Sequence, residues 1–228
     1  MHGARTCFDF SQPLGTGPSP IVPAQFGKLS CTPHNAIACS RQSERKERMP
    51  QPAVAIVTGG SSGIGFACAT ALSEAGCTVY ELSRRTPASS PAGITHFPTD
   101  ITDEAQVSAA IARVMAEQGR IDILVNNAGF GISGAIENTL PADARRQLDV
   151  NLFGMDTVTR AVLPSMRERG SGRIVCTSSI AGIVPIPFQA WYSVSKAAIN
   201  AYVLALANEV RPYGIAVCAL MPGDVAAG

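Results

Sequence analysis

Six short runs rich in Val, Ile and Leu recur along the chain, at Val54–Val57, Thr78–Ser83, Ile94–Pro98, Ile121–Asn126, Arg173–Ser178 and Ile215–Met221, with helical stretches between them. A strand that reads as an unbroken apolar run is covered on both faces, and strands alternating with helices are joined by crossovers. The alternation therefore calls for an α/β fold in three αβα layers: a parallel sheet covered by helices on both faces. The chain has 228 residues, 46% of them hydrophobic, enough for one domain with a large core over 53–228.

Local signals punctuate the helices. Thr102, followed by Asp103 and Glu104, is an N-cap signal, and Gly119 is placed to end the helix it opens. Thr139, with Pro141 close behind, opens a long segment that runs to about Arg169 and stops at Gly170. Pro164 inside that segment is expected to kink or break it.

Residues 1–52 differ from the rest. They scatter Pro, Gly and Ser without periodicity and include the charged patch Arg41-Gln-Ser-Glu-Arg-Lys-Glu-Arg48, the composition of a disordered leader. They hold no continuous apolar core of a secretory signal and no clear amphipathic pattern of a transit peptide. Met49 leaves a second account open, in which the leader is an upstream extension and the functional start lies there.

Charge and cysteine usage narrow the function. Lys+Arg 18 against Asp+Glu 17 gives a formal net charge of +1, with no surplus to draw the chain to nucleic acid or anionic lipid, so a small molecule is the expected partner. Seven cysteines form no CxxC pair and no metal-ligand spacing, and their odd number fits a reducing cytoplasm. Cys176 and Cys218 sit in apolar runs and read as core residues. No apolar run approaches the roughly 20 residues that a membrane span needs.

The first strand leads directly into Thr58-Gly-Gly-Ser-Ser-Gly-Ile-Gly65 and then an Ala-rich amphipathic stretch. A glycine turn between strand and helix lets the backbone approach a pyrophosphate, whose charge then faces the helix N-terminus. The second strand ends in Ser83-Arg84-Arg85, the third in Asp100-Ile101 and the fourth in Asn126-Asn-Ala-Gly129. Tyr192 and Lys196 stand four apart in Tyr192-Ser-Val-Ser-Lys196, so on a helix they share one face. A tyrosine hydroxyl titrates near about 10 and is a poor acid or base at neutral pH, but a neighbouring ammonium favours its phenolate.

With its TGxxxGxG and YxxxK motifs in this order, the chain resembles the short-chain dehydrogenase/reductase family from about Ala53 to Val225. The resemblance implies a Rossmann-like, doubly wound parallel sheet and an oxidoreductase that transfers a hydride between a nicotinamide cofactor and a carbonyl or secondary alcohol. Tyr192 would be the proton donor or acceptor, and Lys196 would support it and hold the nicotinamide ribose. Ser179, thirteen residues before Tyr192, would orient the substrate oxygen; Ser178 is the competing assignment, one residue off the family spacing. Asn151 would hold a water that relays protons to the lysine.

By the same resemblance the cofactor would rest on Gly59, Ser61, Ser62, Gly63, Ile64 and Gly65, on Asp100 and Ile101, and on Asn127, Ala128 and Gly129, with Pro222, Gly223 and Val225 at its nicotinamide end. Ser83 occupies the place where an acid would select NAD, and Arg84 can pair with a 2′-phosphate, so NADP (NADPH) is preferred and NAD remains possible. Glu81 points to the same face as Ser83, so a register two residues earlier would reverse that preference.

Ile183–Trp191 is apolar and aromatic and is expected either to line the pocket for a hydrophobic substrate, such as a steroid, retinoid or acyl chain, or to pack in a homodimer or homotetramer interface. Family members continue past the last motif into a substrate loop, a helix and a seventh strand, so the chain reads as C-terminally truncated. A catalytically weak cofactor-binding or interaction module is then the alternative function.

Overall fold

β1 (Val54–Thr58) is buried at every position, as a strand must be in mid-sheet with helices on both faces. The structure, a computed structural model, describes residues 52–87 and 92–223. Residues 1–51 of the expected leader and Val225 lie outside the described residues. The remaining strands are β2 (Thr78–Ser83), β3 (Ile94–Pro98), β4 (Ile123–Asn126), β5 (Gly172–Thr177) and β6 (Ile215–Leu220). All pair in parallel, in the order β3-β2-β1-β4-β5-β6. This is the doubly wound order whose crevice opens at the carboxyl ends of β1 and β4, where the direction of winding reverses.

Strand alternation sorts two cores. Val54, Ile56, Tyr80, Leu82, Phe97, Leu124 and Ile174 face the helices α2 (Glu104–Gln118), α4 (Met155–Arg169) and α5 (Ala190–Val210), which contribute Ile111, Val158, Val162, Ile199 and Val203. Ala55, Val57, Val79 and Val125 face the other side, where Ala69 of α1 (Gly63–Glu74) packs. Helix α1 covers β1, β2 and β3. On β6, Ala216, Cys218 and Leu220 are exposed while Ile215 is buried. Cys176 is core as expected, but Cys218 is not: it lies on the exposed side of β6, away from the helices that cover Ile215.

Three local expectations change. Asp103, not Thr102, caps α2; its carboxylate accepts from the amides of Ala105 and Gln106, while the Thr102 hydroxyl donates to Asp100. Gly119 ends that helix in the left-handed conformation, as expected. The long segment is not one helix. Thr139 bonds back to the Ala135 carbonyl, α3 (Pro141–Leu148) follows, and Asp149–Gly154 widens into a π turn before α4. Helix α4 continues through Pro164, because Val162, Ser165 and Met166 are held against the sheet, and packing outweighs the one missing backbone bond.

The amino ends of the strands are joined by Asp122, which precedes β4. Its carboxylate accepts from the Val54 amide at 2.8 Å, from Arg120 through two nitrogens at 2.8 Å, and from Arg169. Burial alone would raise this carboxyl, but the bonds from Arg120, Val54 and Arg169 outweigh it and hold it below the usual carboxylate range. Asp122→Asn is expected to lower the unfolding free energy by about 1–3 kcal/mol at neutral pH. A lowered native value means that Asp122 stabilises above the unfolded carboxylate value of about 3.9 and ceases to as pH falls through the native one. Denaturant melts from neutral to acid pH should show the two proteins converging; a gap of constant size would contradict this role.

Candidate active site

The carboxyl ends of β1 and β4 are tied together by one side chain. The Thr58 hydroxyl accepts from the amides of Asn127 and Ala128 at 3.0 and 3.1 Å, and Asn127 Nδ2 donates to the Gly59 carbonyl at 3.2 Å. Gly59 has φ +66, and Gly65 leaves no room for a side chain: a Cβ there would sit 2.3 Å from the Gly59 carbonyl oxygen and 2.4 Å from Asn127 Nδ2. The turn is therefore folded tightly onto the end of β4, and the unpaired amides at the start of α1 face the crevice between them.

This crevice is a cleft of about 720 Å³. Gly59, Ser61, Ser62 and Ile64 form one wall, and Asn127, Ala128 and Gly129 form another. Gly63 and Gly65, expected at the site, do not line the cleft; Gly63 gives the turn a left-handed residue at φ +57, and Gly65 lets it close on Gly59 and Asn127. Ser83 and Arg84 reach it from the end of β2, and Asp100 and Ile101 from the end of β3. Glu81 does not: it is fully buried. Asp100 accepts from the Thr102 amide and hydroxyl at 3.0 and 2.8 Å. Burial would raise its carboxyl, but those bonds and the nearby Arg84 charge leave it below the ordinary range.

The other end of the cleft holds Ser178, Ser179, Tyr192, Lys196, Pro222 and Gly223. Lys196 is 5% exposed; its Nζ donates to the Thr177 carbonyl at 2.7 Å and lies 5.6 Å from the centre of the Tyr192 ring. The two side chains thus share a face of α5. Burial pushes the lysine down to about 8. Ser178 Oγ is buried and donates to the Lys196 carbonyl at 3.0 Å. Ser179 is only partly buried, and its Oγ accepts from the Ala181 amide, which leaves its own proton uncommitted to any described protein group. The Ile180 amide donates to the Pro222 carbonyl at 3.1 Å, which holds the end of β6 beside Ser179.

Asn151 lies in the π turn, 1% exposed and outside the cleft lining. Its Oδ1 accepts from the Phe130 amide at 2.9 Å, and its Nδ2 donates to the Phe130 carbonyl at 2.8 Å and to Ser195 Oγ at 3.1 Å. The side chain therefore joins the loop after β4 to α5, one residue from Lys196. A π turn at this point widens the helix by one residue per turn, a feature frequent at functional sites.

Asp143, Arg146 and Val150 also line the cleft, from α3 and the π turn, together with Phe130, Gly131 and Ile132. None belongs to a motif. The i, i+3, i+7 spacing of Asp143, Arg146 and Val150 is the one sequence signal that would have set them on a common face. In contrast, Ile183–Trp191 contributes nothing to the lining; Ile183, Val184, Ile186 and Phe188 are exposed.

Lys196 carries a measurable cost. Its native value lies below the unfolded lysine value of about 10.4, so between these the unfolded chain binds more protons and the native state gains stability as pH rises. Lys196→Met is expected to stabilise the ligand-free protein at pH 7 by on the order of 2 kcal/mol, with the advantage shrinking from about pH 8 upward. Thermal melts across that range test this; a variant less stable than the wild type at every pH would contradict it.

The family model described as short chain dehydrogenase matches residues 53–228. The chain is 42% identical over 178 residues to 3-ketodihydrosphingosine reductase of Bacteroides thetaiotaomicron, covering 78% of this chain and 66% of that protein. It therefore spans about two thirds of that relative's length. Among solved structures it is similar to NAD+-bound xylitol dehydrogenase, with TM-score 0.72 and 31% identity over 78% of this chain and 72% of that one. It is similar also to ElxO with NADP bound, with TM-score 0.72 and 29% identity over 76% of this chain and 74% of that one. The chain belongs to the short-chain dehydrogenase/reductase family of oxidoreductases.

Proposed function

We propose that this domain is an NADP-preferring reductase or dehydrogenase acting on a carbonyl or secondary alcohol. The observation that carries the reading is the placement of Tyr192 and Lys196 on one face of α5 at one end of the cleft, beside Ser179. A dinucleotide fits the residues present: the turn at Gly59 has no room for side chains, α1 offers its unpaired amides, and Arg84 and Lys196 place a cation at each end. When bound there, the nicotinamide supplies or takes up the hydride.

The chain's own residues manage the proton and the oxygen. Ser179 donates its uncommitted hydroxyl proton to the substrate oxygen and orients it. Tyr192 gives its phenolic proton to that oxygen in reduction and takes one back in oxidation. The Lys196 ammonium, aimed by the Thr177 carbonyl, stabilises negative charge developing on the tyrosine oxygen. Asn151 is a positioning residue. Both hydrogens of its amide are already donated to Phe130 and Ser195, so it sets the loop and helix around Lys196 instead of holding a water through that group.

The cofactor preference rests on Ser83 and Arg84 at the end of β2, with no acidic side chain among the described residues lining that stretch of the cleft from β2.

Consumption of NADPH against a panel of ketones and aldehydes tests the chemistry. Tyr192→Phe is expected to lower kcat by about 10²–10⁴-fold while NADPH affinity is retained; undiminished turnover would remove Tyr192 from the mechanism. Arg84→Ala is expected to weaken NADPH by about tenfold or more and leave NADH affinity unchanged, the loss of one charge-assisted contact. An equal change for both cofactors would show that Arg84 does not read the phosphate.

A further inference from the structure

Two residues bracket Ser179 without belonging to the proposed chemistry: Ser178 before it, and Gly182 at the end of its turn. Ser179 caps a single 3₁₀ turn, Ile180–Gly182; its Oγ accepts from the Ala181 amide, and its carbonyl accepts from the Gly182 amide at 3.0 Å. Both bonds lie within the turn. The place of the Ser179 hydroxyl relative to Tyr192 is therefore set by how the turn as a whole sits on α5.

Both bracketing residues rest on one peptide, that of Lys196. Ser178, 2% exposed, donates from Oγ to the Lys196 carbonyl at 3.0 Å. A carbonyl inside a helix keeps a second lone pair for such a bond. Gly182 lies against the same group: a Cβ there would stand 2.7 Å from the Lys196 carbonyl carbon and 2.8 Å from its oxygen. Asn200, one turn further along α5, donates from Nδ2 to the Gly182 carbonyl at 3.3 Å, and that nitrogen would be 2.8 Å from the same Cβ. The Lys196 side chain reaches the start of the segment, where Nζ donates to the Thr177 carbonyl. Residues 177–182 thus clasp one helical residue, and the absence of a side chain at Gly182 is what lets the two backbones come so close. The tie on the far side, from the Ile180 amide to the Pro222 carbonyl, holds the turn to the end of β6 and not to α5.

We infer that Ser178 and Gly182 are positioning residues: by seating both ends of the Ser179 turn on the Lys196 peptide, they fix where the serine hydroxyl meets the substrate oxygen relative to Tyr192. The inference rests on the proposal that Ser179 orients that oxygen. Two donors must reach one atom, Ser179 from the end of β5 and Tyr192 from α5, and the Lys196 peptide is where the one element is registered on the other. Ser178 gives its own proton to that peptide, so it acts through its neighbour. Carbon atoms in ordinary contact are about 3.5–4.0 Å apart, so a methyl group on Gly182 moves the turn off α5 by roughly an ångström. A misplacement of that size can cost on the order of 10²-fold in rate.

Single-turnover rates of NADPH oxidation test this, with the enzyme–cofactor complex in excess over a ketone or aldehyde that the wild type reduces. Losses of about 10²–10³-fold stay readable in that format. Gly182→Ala is expected to lower the rate about ten- to hundredfold and Ser178→Ala about three- to tenfold, with NADPH dissociation constants within about threefold of the wild type. In a Ser179→Ala background neither should cost more than about twofold, because the group they position is gone. Ser178→Ala removes one hydroxyl and adds no bulk, so it carries the test if Gly182→Ala does not fold. Undiminished rates in the folded single variants, or losses that persist in full beside Ser179→Ala, would overturn the inference. If Ser179→Ala alone lowers the rate while the other losses add to it, only the inference fails. If Ser179→Ala leaves the rate unchanged, the proposed role of Ser179 fails and takes the inference with it.

Discussion

The hydroxyl of Thr58, accepting two amides from the segment after β4, closes the gap between strands that are not consecutive in the chain. Everything in the cleft is referred to that junction. The turn that begins at Gly59 can lie against Ala128 only because β1 and β4 end at the same height, and their register, Thr58 opposite Asn126, ensures that they do. The Gly59–Ser62 wall and the wall that leads to Tyr192 are thus parts of one edge. Asn126, at 4% exposure, extends the tie to α4 through Thr159 at 2.8 Å, so the helix that follows the π turn of Asn151 is anchored to the same strand end.

Charge is distributed with the same economy. At the amino ends of the strands, Asp122 satisfies two arginines and a backbone amide and contributes stability. At the carboxyl ends, Lys196 is buried against a single carbonyl and an aromatic ring, an arrangement that costs stability in the absence of ligand. A poorly compensated cation held next to a tyrosine suits a site where negative charge appears during reaction, and it is poorly explained as packing.

The strands were legible because each is an unbroken apolar run and each carboxyl end bears a short polar motif. What lay between them was less so. The long segment from Thr139 holds a real irregularity, but Pro164 drew attention to the wrong place: the helix departs from α geometry at Asp149–Gly154, where no residue type signals a π turn. Motif residues fell at the cleft with few exceptions, and these have a common cause. Gly63 acts through its left-handed backbone, Gly65 by what it leaves room for and Asn151 by what it ties together, which spacing does not distinguish from direct contact. Strand alternation aimed Glu81 correctly to the face of Ser83, yet only the packing of Gly60 over it shows that it is sealed away from the cleft. Arg146 carried no motif, and Cys218 was misjudged because an apolar strand says nothing about which of its faces a helix reaches.

The central claim is that one crevice, between the carboxyl ends of β1 and β4, orients a nicotinamide cofactor toward Tyr192. A crystal structure of the protein with NADPH tests it most directly. The account predicts the adenosine ribose beside Ser83 and Arg84, the diphosphate against the first-turn amides of α1, and the nicotinamide between Lys196 and Pro222–Gly223 with its ring facing Tyr192. A cofactor bound elsewhere, or lying in the crevice with its nicotinamide directed away from Tyr192, would contradict it.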